Sequence, residues 1–159
     1  MLEKAFDVSI ENLKGQKEDL RSVRSQSAFS AAIASLIASF FGGMVGSSGI
    51  DILVSDSGVW GFRLEFLLAM VAFSSSIGCS ILVSVKVGKV AFEANPLAII
   101  YWKEHENYVG QGYKMMAKRN HLSFRRNEFV IDEARCYLWS ALVSGFVQIP
   151  FWIMLVGNR

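Results

Sequence analysis

Three stretches of this sequence lack Asp, Glu, Lys and Arg altogether: 26 residues from Ser25 to Ile50, 20 from Phe66 to Val85 and 23 from Cys136 to Asn158. Pumps, proton-coupled transporters and voltage sensors keep ionisable groups at membrane depth, so these classes are excluded. Histidine and cysteine are scarce, two of each. His105 sits between Glu104 and Glu106 with no second histidine at ligand spacing, and Cys79 and Cys136 stand apart, so no metal site is expected. No cofactor is expected either, because Gly110-Gln111-Gly112 lacks the rest of a phosphate-binding glycine loop. Charged residues make up 19% and apolar ones 52%, against roughly 25% and 45–50% in ordinary soluble domains. A soluble globular enzyme is therefore not the leading reading, and no catalytic signature is present.

What the sequence has instead is length in each charge-free run. At about 1.5 Å per residue, each crosses a hydrocarbon layer of roughly 30 Å. The expected fold is all-α: an integral membrane protein with three transmembrane helices, an amphipathic N-terminal helix and a helical cytoplasmic segment. The boundaries read as 1–24 for the amphipathic helix, 25–50 for the first span, 51–65 for an outer loop, 66–85 for the second span, 86–135 for the cytoplasmic segment and 136–158 for the third span. Residues 1–24 carry five basic groups, 86–135 carry nine, and only Arg63 and Arg159 lie elsewhere. Basic residues beside spans stay on the cytoplasmic side. That asymmetry predicts an inner (plasma) membrane protein with its N-terminus inside and its C-terminus outside. The first apolar run begins too late and is too long for a cleavable signal, so the first span is expected to be retained. Both cysteines then fall in the cytoplasmic half, where thiols stay reduced.

In the opening segment Phe6, Ile10, Leu13, Leu20 and Val23 recur at helical spacing, interrupted by Lys17, with Gly15 as a weak point. Glycines and serines from Gly42 to Gly49 predict that the first span stops before Asp51, and Trp60 and Phe62 beside Arg63 read as an interfacial anchor. Asn95-Pro96 predicts the start of a helix to about Tyr108, broken by Gly110-Gln111-Gly112. From Tyr113, the pattern Met116, His121-Leu122, Phe124, Phe129-Val130, Ala134 and Tyr137-Leu138 is compatible with a helix continuing into the third span.

Small residues at four-residue steps form the most informative pattern. Ser27, Ala31, Ser35, Ser39 and Gly43, with Ala34, Ala38, Gly42 and Gly46 beside them, mark the first span; Ala72, Ser76, Ser80 and Ser84 mark the second. Small side chains let helix backbones approach closely in lipid, so Ser35, Ser39, Gly43, Ser76 and Ser80 are candidates for helix packing or an oligomer interface. Packing within one chain explains some of these stripes; a homo-oligomer is the natural use of the rest. Ser140, Ser144 and Gln148 share a face of the third span, and Pro150 should kink it. Two uses are open for that polar face: interhelical hydrogen bonds worth roughly 0.6–2 kcal/mol, or a pore lining.

Lys118, Arg119, Arg125 and Arg126 form the densest basic patch. Contact with anionic lipid headgroups is its plainer reading, and an anionic ligand such as RNA, stacked on Phe124 or Phe129, the less favoured one; nucleic acid is not an expected partner. Positions 114, 115 and 116 are Lys, Met and Met, so His121 lacks the arginine of a HEPN-type ribonuclease.

The layout adds one resemblance. Residues Leu2-Glu3-Lys4-Ala5-Phe6 through Glu11-Asn12-Leu13-Lys14-Gly15-Gln16-Lys17 and Leu20-Arg21-Ser22-Val23-Arg24 lead into an Ala/Ser-rich span. Arg126-Asn127-Glu128 and Asp132-Glu133-Ala134-Arg135 feed the last one. This resembles small bacterial inner-membrane proteins and is loosely similar to the SLATT and Pycsar-effector membrane modules of anti-phage systems. The resemblance implies a module that perturbs the membrane when triggered; with the small-residue stripes and the polar face of the third span it makes a homo-oligomeric, pore-forming or membrane-perturbing module the leading expectation, with the lipid bilayer as its first partner. The alternative from the residues is a non-conducting anchor or accessory subunit whose cytoplasmic segment binds a partner protein.

Overall fold

The computed structural model describes residues 2–48, 53, 62–87, 90 and 109–157. All its elements are helices: α1 (Leu2–Ser48), α2 (Leu64–Val87) and α3 (Val109–Gly157). Each contains a window long and apolar enough to cross a membrane, with mean hydropathy of 1.8, 2.2 and 1.7, and only 17%, 22% and 28% of those windows is buried within the chain. Most of their apolar surface is thus left for lipid or another protein to cover. This is an all-α protein with three candidate membrane-spanning helices. Gly15 does not interrupt α1, and its Cα faces open space. Gly110-Gln111-Gly112 lies in the opening turn of α3, and the helix it is expected to end falls outside the described residues. Glycine costs about 1 kcal/mol in a helix interior, but at the first turn few intrahelical bonds are yet made. The predicted helix from Pro96, Trp60, His105 and most of the outer loop lie outside the described residues.

The chain divides into two compact units, one of Met1–Ser22 with Lys86–Glu133 and one of Val23–Val85 with Ala134–Arg159. In the first, α1 and α3 run parallel. Phe6 packs on Tyr113 with ring centroids 5.4 Å apart, Asn120 Nδ2 donates to Ser9 Oγ at 3.0 Å, and Gln16 Nε2 donates to the Phe124 carbonyl at 3.0 Å. Ser9 in turn donates to the Phe6 carbonyl at 2.7 Å. Lys86 and Glu133 form a part-exposed ion pair at 2.6 Å, a type worth about 0–1 kcal/mol. The buried seam here is Phe6, Leu13, Gln16 and Leu20 against Met116, Asn120, Asn127 and Ile131. The named residues recur at steps of three, four and seven, the spacing of coiled-coil packing.

The helix expected from Tyr113 onward is there, running unbroken through α3, and the seam decides which of its rows is buried. Leu122 and Phe129 are exposed, while Asn120 and Asn127 are buried. Polar residues take the seam because a partner helix offers them hydrogen bonds, and buried amides of this kind fix register at a cost in stability.

In the second unit α2 runs antiparallel to α1 and α3, and the packing changes character along it. One end holds small polar residues, with Ser27 Oγ donating to the Ser80 carbonyl at 3.1 Å. The other is apolar and mostly bulky: Val45, Trp152 and Leu155, with Ala69, form a buried cluster with Ile37, Phe41, Phe66 and Phe151 packed against it. Trp152 stacks on Phe41 at 6.1 Å and meets Phe66 edge-on at 6.2 Å.

Candidate functional site

Between those two ends the three helices meet over small side chains. Ala34 of α1, Ser76 of α2 and Ala141 of α3 are each completely buried. An added Cβ at Gly145 would stand 3.4 Å from Ser76 Oγ and 3.8 Å from the Ala34 Cβ. Absence of a side chain at Gly145 is what admits the neighbouring helices this closely. Hydrogen bonds then cross the contact. Ser76 Oγ donates to the Ala141 carbonyl at 2.8 Å, and Gln148 Nε2 donates to the Ala34 carbonyl at 3.2 Å. A backbone carbonyl has two lone pairs, so Ala34 and Ala141 accept these bonds in addition to their own helical ones. Ser144 Oγ lies at 3.4 Å from Ser75 Oγ.

The three residues read as a polar face therefore have three different environments. Gln148 is fully buried, Ser144 half-buried and Ser140 exposed. Ser140 donates to the Cys136 carbonyl at 3.0 Å within its own helix, the habitual resort of a helical serine. Within one chain the glutamine serves packing. Its Oε1 is buried with no hydrogen-bond partner, as are Ser80 Oγ and Trp152 Nε1. Pro150 lies inside α3, one turn beyond Phe146.

Gln148→Leu has a predictable outcome from this geometry. It removes one interhelical bond, worth roughly 0.6–2 kcal/mol, and also an unpartnered buried carbonyl whose desolvation costs about 1–3 kcal/mol. The two offset, and SDS-driven unfolding of the detergent-solubilised variant should shift by less than about 1 kcal/mol. A fall in ion or dye leakage at unchanged stability would instead assign Gln148 to a conduction path.

The other predicted site residues fall on different surfaces. Ser35 is half-buried, and Ser39 and Gly43 are exposed. Gly42, Gly43 and Gly46 have nothing within 4 Å of an added Cβ. Lys118, Arg119, Arg125 and Arg126 are all exposed, on the side of α3 away from its buried seam. Among the described residues no three His, Cys, Asp or Glu side chains gather as a metal site. Two residues central to the three-helix contact, Ala141 and Gly145, were not singled out from sequence. Their signal was available as steps of four and three with Gln148. No protein-family profile matches this sequence, and neither a curated protein nor a solved structure matches it.

Proposed function

We propose that this protein is a homo-oligomeric module of a bacterial inner membrane, assembled through the outward small-residue face of α1. The observation that carries this reading is the exposed row Ala32, Ser39, Gly43 and Gly46 with Gly42 beside it. Lipid gives no hydrophobic drive for helix association, so close backbone approach over small residues is the main one left. Within the chain that means is used at Ala34, Ser76 and Gly145; on the outer face of α1 it is unused.

Ser39→Leu and Gly43→Leu test the proposal. A Cβ at Gly43 meets nothing within 4 Å and Ser39 is exposed, so the protomer should fold as before, while crosslinked oligomer in native membranes falls roughly tenfold, about 1.4 kcal/mol of association. A wild-type protein that stays monomeric in mild detergent and in crosslinked membranes overturns it.

The fuller form of this reading is a membrane-perturbing effector of a defence system, supported by the layout shared with the SLATT and Pycsar-effector modules. A conducting path between copies is compatible with the bond Gln148 makes inside each one. Dye leakage from cells over-expressing the wild type, abolished by Gly43→Leu, supports that form; no leakage under any trigger removes it and leaves the oligomer. Orientation follows the basic asymmetry, N-terminus inside. A reporter fused after Arg159 should read as external and one inserted at Gln111 as cytoplasmic.

A further inference from the structure

The unit formed by Met1–Ser22 and Lys86–Glu133 turns apolar residues outward where its seam takes polar ones. Met115, Leu122 and Phe129 are 65%, 59% and 73% exposed, while Asn120 and Asn127 occupy the seam behind them. The three are spaced by seven residues, one row extending about 21 Å along α3. Lys118 and Arg125 flank the row on one side, Arg119 and Arg126 on the other, also by sevens. None of the four pairs with an acid among the described residues. Glu128, the one acid between Met115 and Phe129, projects about 100° around the helix from Phe129.

We propose that this face docks an acidic amphipathic helix of a partner protein, laid along α3 with its apolar seam on Met115, Leu122 and Phe129 and its carboxylates against the four cations. A single seven-residue row is the narrow seam of helix-on-helix packing, whereas a helix lying on a bilayer presents an apolar face about 100° wide or more. A second copy does not fit. Two such faces would set like charges together, and among the described side chains on the outward side of α1 in this unit Val8 is the single exposed large apolar one. The partner's charge is set by complementarity, which governs both steering and choice of partner. The proposal stands apart from the oligomer, which uses a different helix face.

The test uses the full-length protein in phosphatidylcholine nanodiscs and synthetic helical peptides, with empty discs as control. One peptide has a leucine seam flanked by Glu, a second the same seam flanked by Lys, and a third Glu flanks with Gln in the seam. The first should bind, and the other two should bind at least roughly tenfold more weakly. Leu122→Gln with Phe129→Gln should cost roughly tenfold or more for the first peptide. Arg125→Glu with Arg126→Glu should shift preference toward the Lys peptide, a gain that misfolding cannot produce. Equal binding of the Glu and Lys peptides, or binding indifferent to these substitutions, overturns the proposal. A fluorophore on Leu122→Cys, in a Cys79→Ser/Cys136→Ser background, should keep its emission when phosphatidylglycerol is added to the discs. A blue shift without peptide assigns the face to the lipid surface and also overturns it.

Discussion

Replacing Trp152 by alanine should be the most damaging single truncation in the protein, lowering stability by about 3–5 kcal/mol. The indole is 3% exposed and sits where all three helices converge, stacked on Phe41 of α1 and edge-on to Phe66 of α2. Its removal opens a cavity walled by Val45, Ala69 and Leu155. Rigid helices collapse into such a space only in part, so the lost contacts are not regained. In a membrane the transfer of apolar surface contributes little, and packing contacts of this kind carry the association. Trp152→Phe separates the causes. It keeps a ring against Phe41 and deletes the unpartnered Nε1 donor, so its cost should stay below about 1.5 kcal/mol. SDS titration followed by far-UV circular dichroism reads both variants. An alanine variant that unfolds at the wild-type midpoint contradicts this account of the cluster.

Gly145→Leu should come next, through the opposite fault. Its Cβ would already touch Ser76 Oγ at 3.4 Å and the Ala34 Cβ at 3.8 Å, ordinary contact for one carbon with no room for three more. The isobutyl group must push α3 from α1 and α2, breaking the bonds from Ser76 to the Ala141 carbonyl and from Gln148 to the Ala34 carbonyl. Overpacking of this kind costs about 1–3 kcal/mol, and more where hydrogen bonds fail with it. Gly145→Ala fits the space and adds helix propensity worth up to about 1 kcal/mol, so its stability should equal or exceed that of the wild type. Thermal denaturation of both variants in the same detergent tests the pair. If Leu and Ala behave alike, the three helices are not held at this distance by the glycine.

The helical character of the protein and its three apolar helices follow from residue order alone, because freedom from charge over 20 residues or more is a local property that any single stretch displays. Residue order also indicated much of the α1 seam: Phe6, Leu13, Leu20 and Val23 are buried. No other row of residues 4–24 carries as many apolar side chains. Gln16 completes the seam and carries no such signal, because amides look like surface residues until a carbonyl, here that of Phe124, is placed before them. On α3 the pattern was ambiguous. Leu122 and Phe129 define one face of the helix, and Asn120 and Asn127 define another. Hydrophobicity alone favours burying the first, yet the structure buries the second. A helix has several rows at three- and four-residue steps, and the row that becomes a seam depends on what the neighbouring helix presents to it. For the same reason the small-residue stripes could be seen but not sorted. Ser76 and Ala34 turn inward against Gly145, while Ser39 and Gly43 face out. That division, and the partner of Gln148, belong to the tertiary structure, because close approach is a relation between two backbones and no single stretch of sequence contains both.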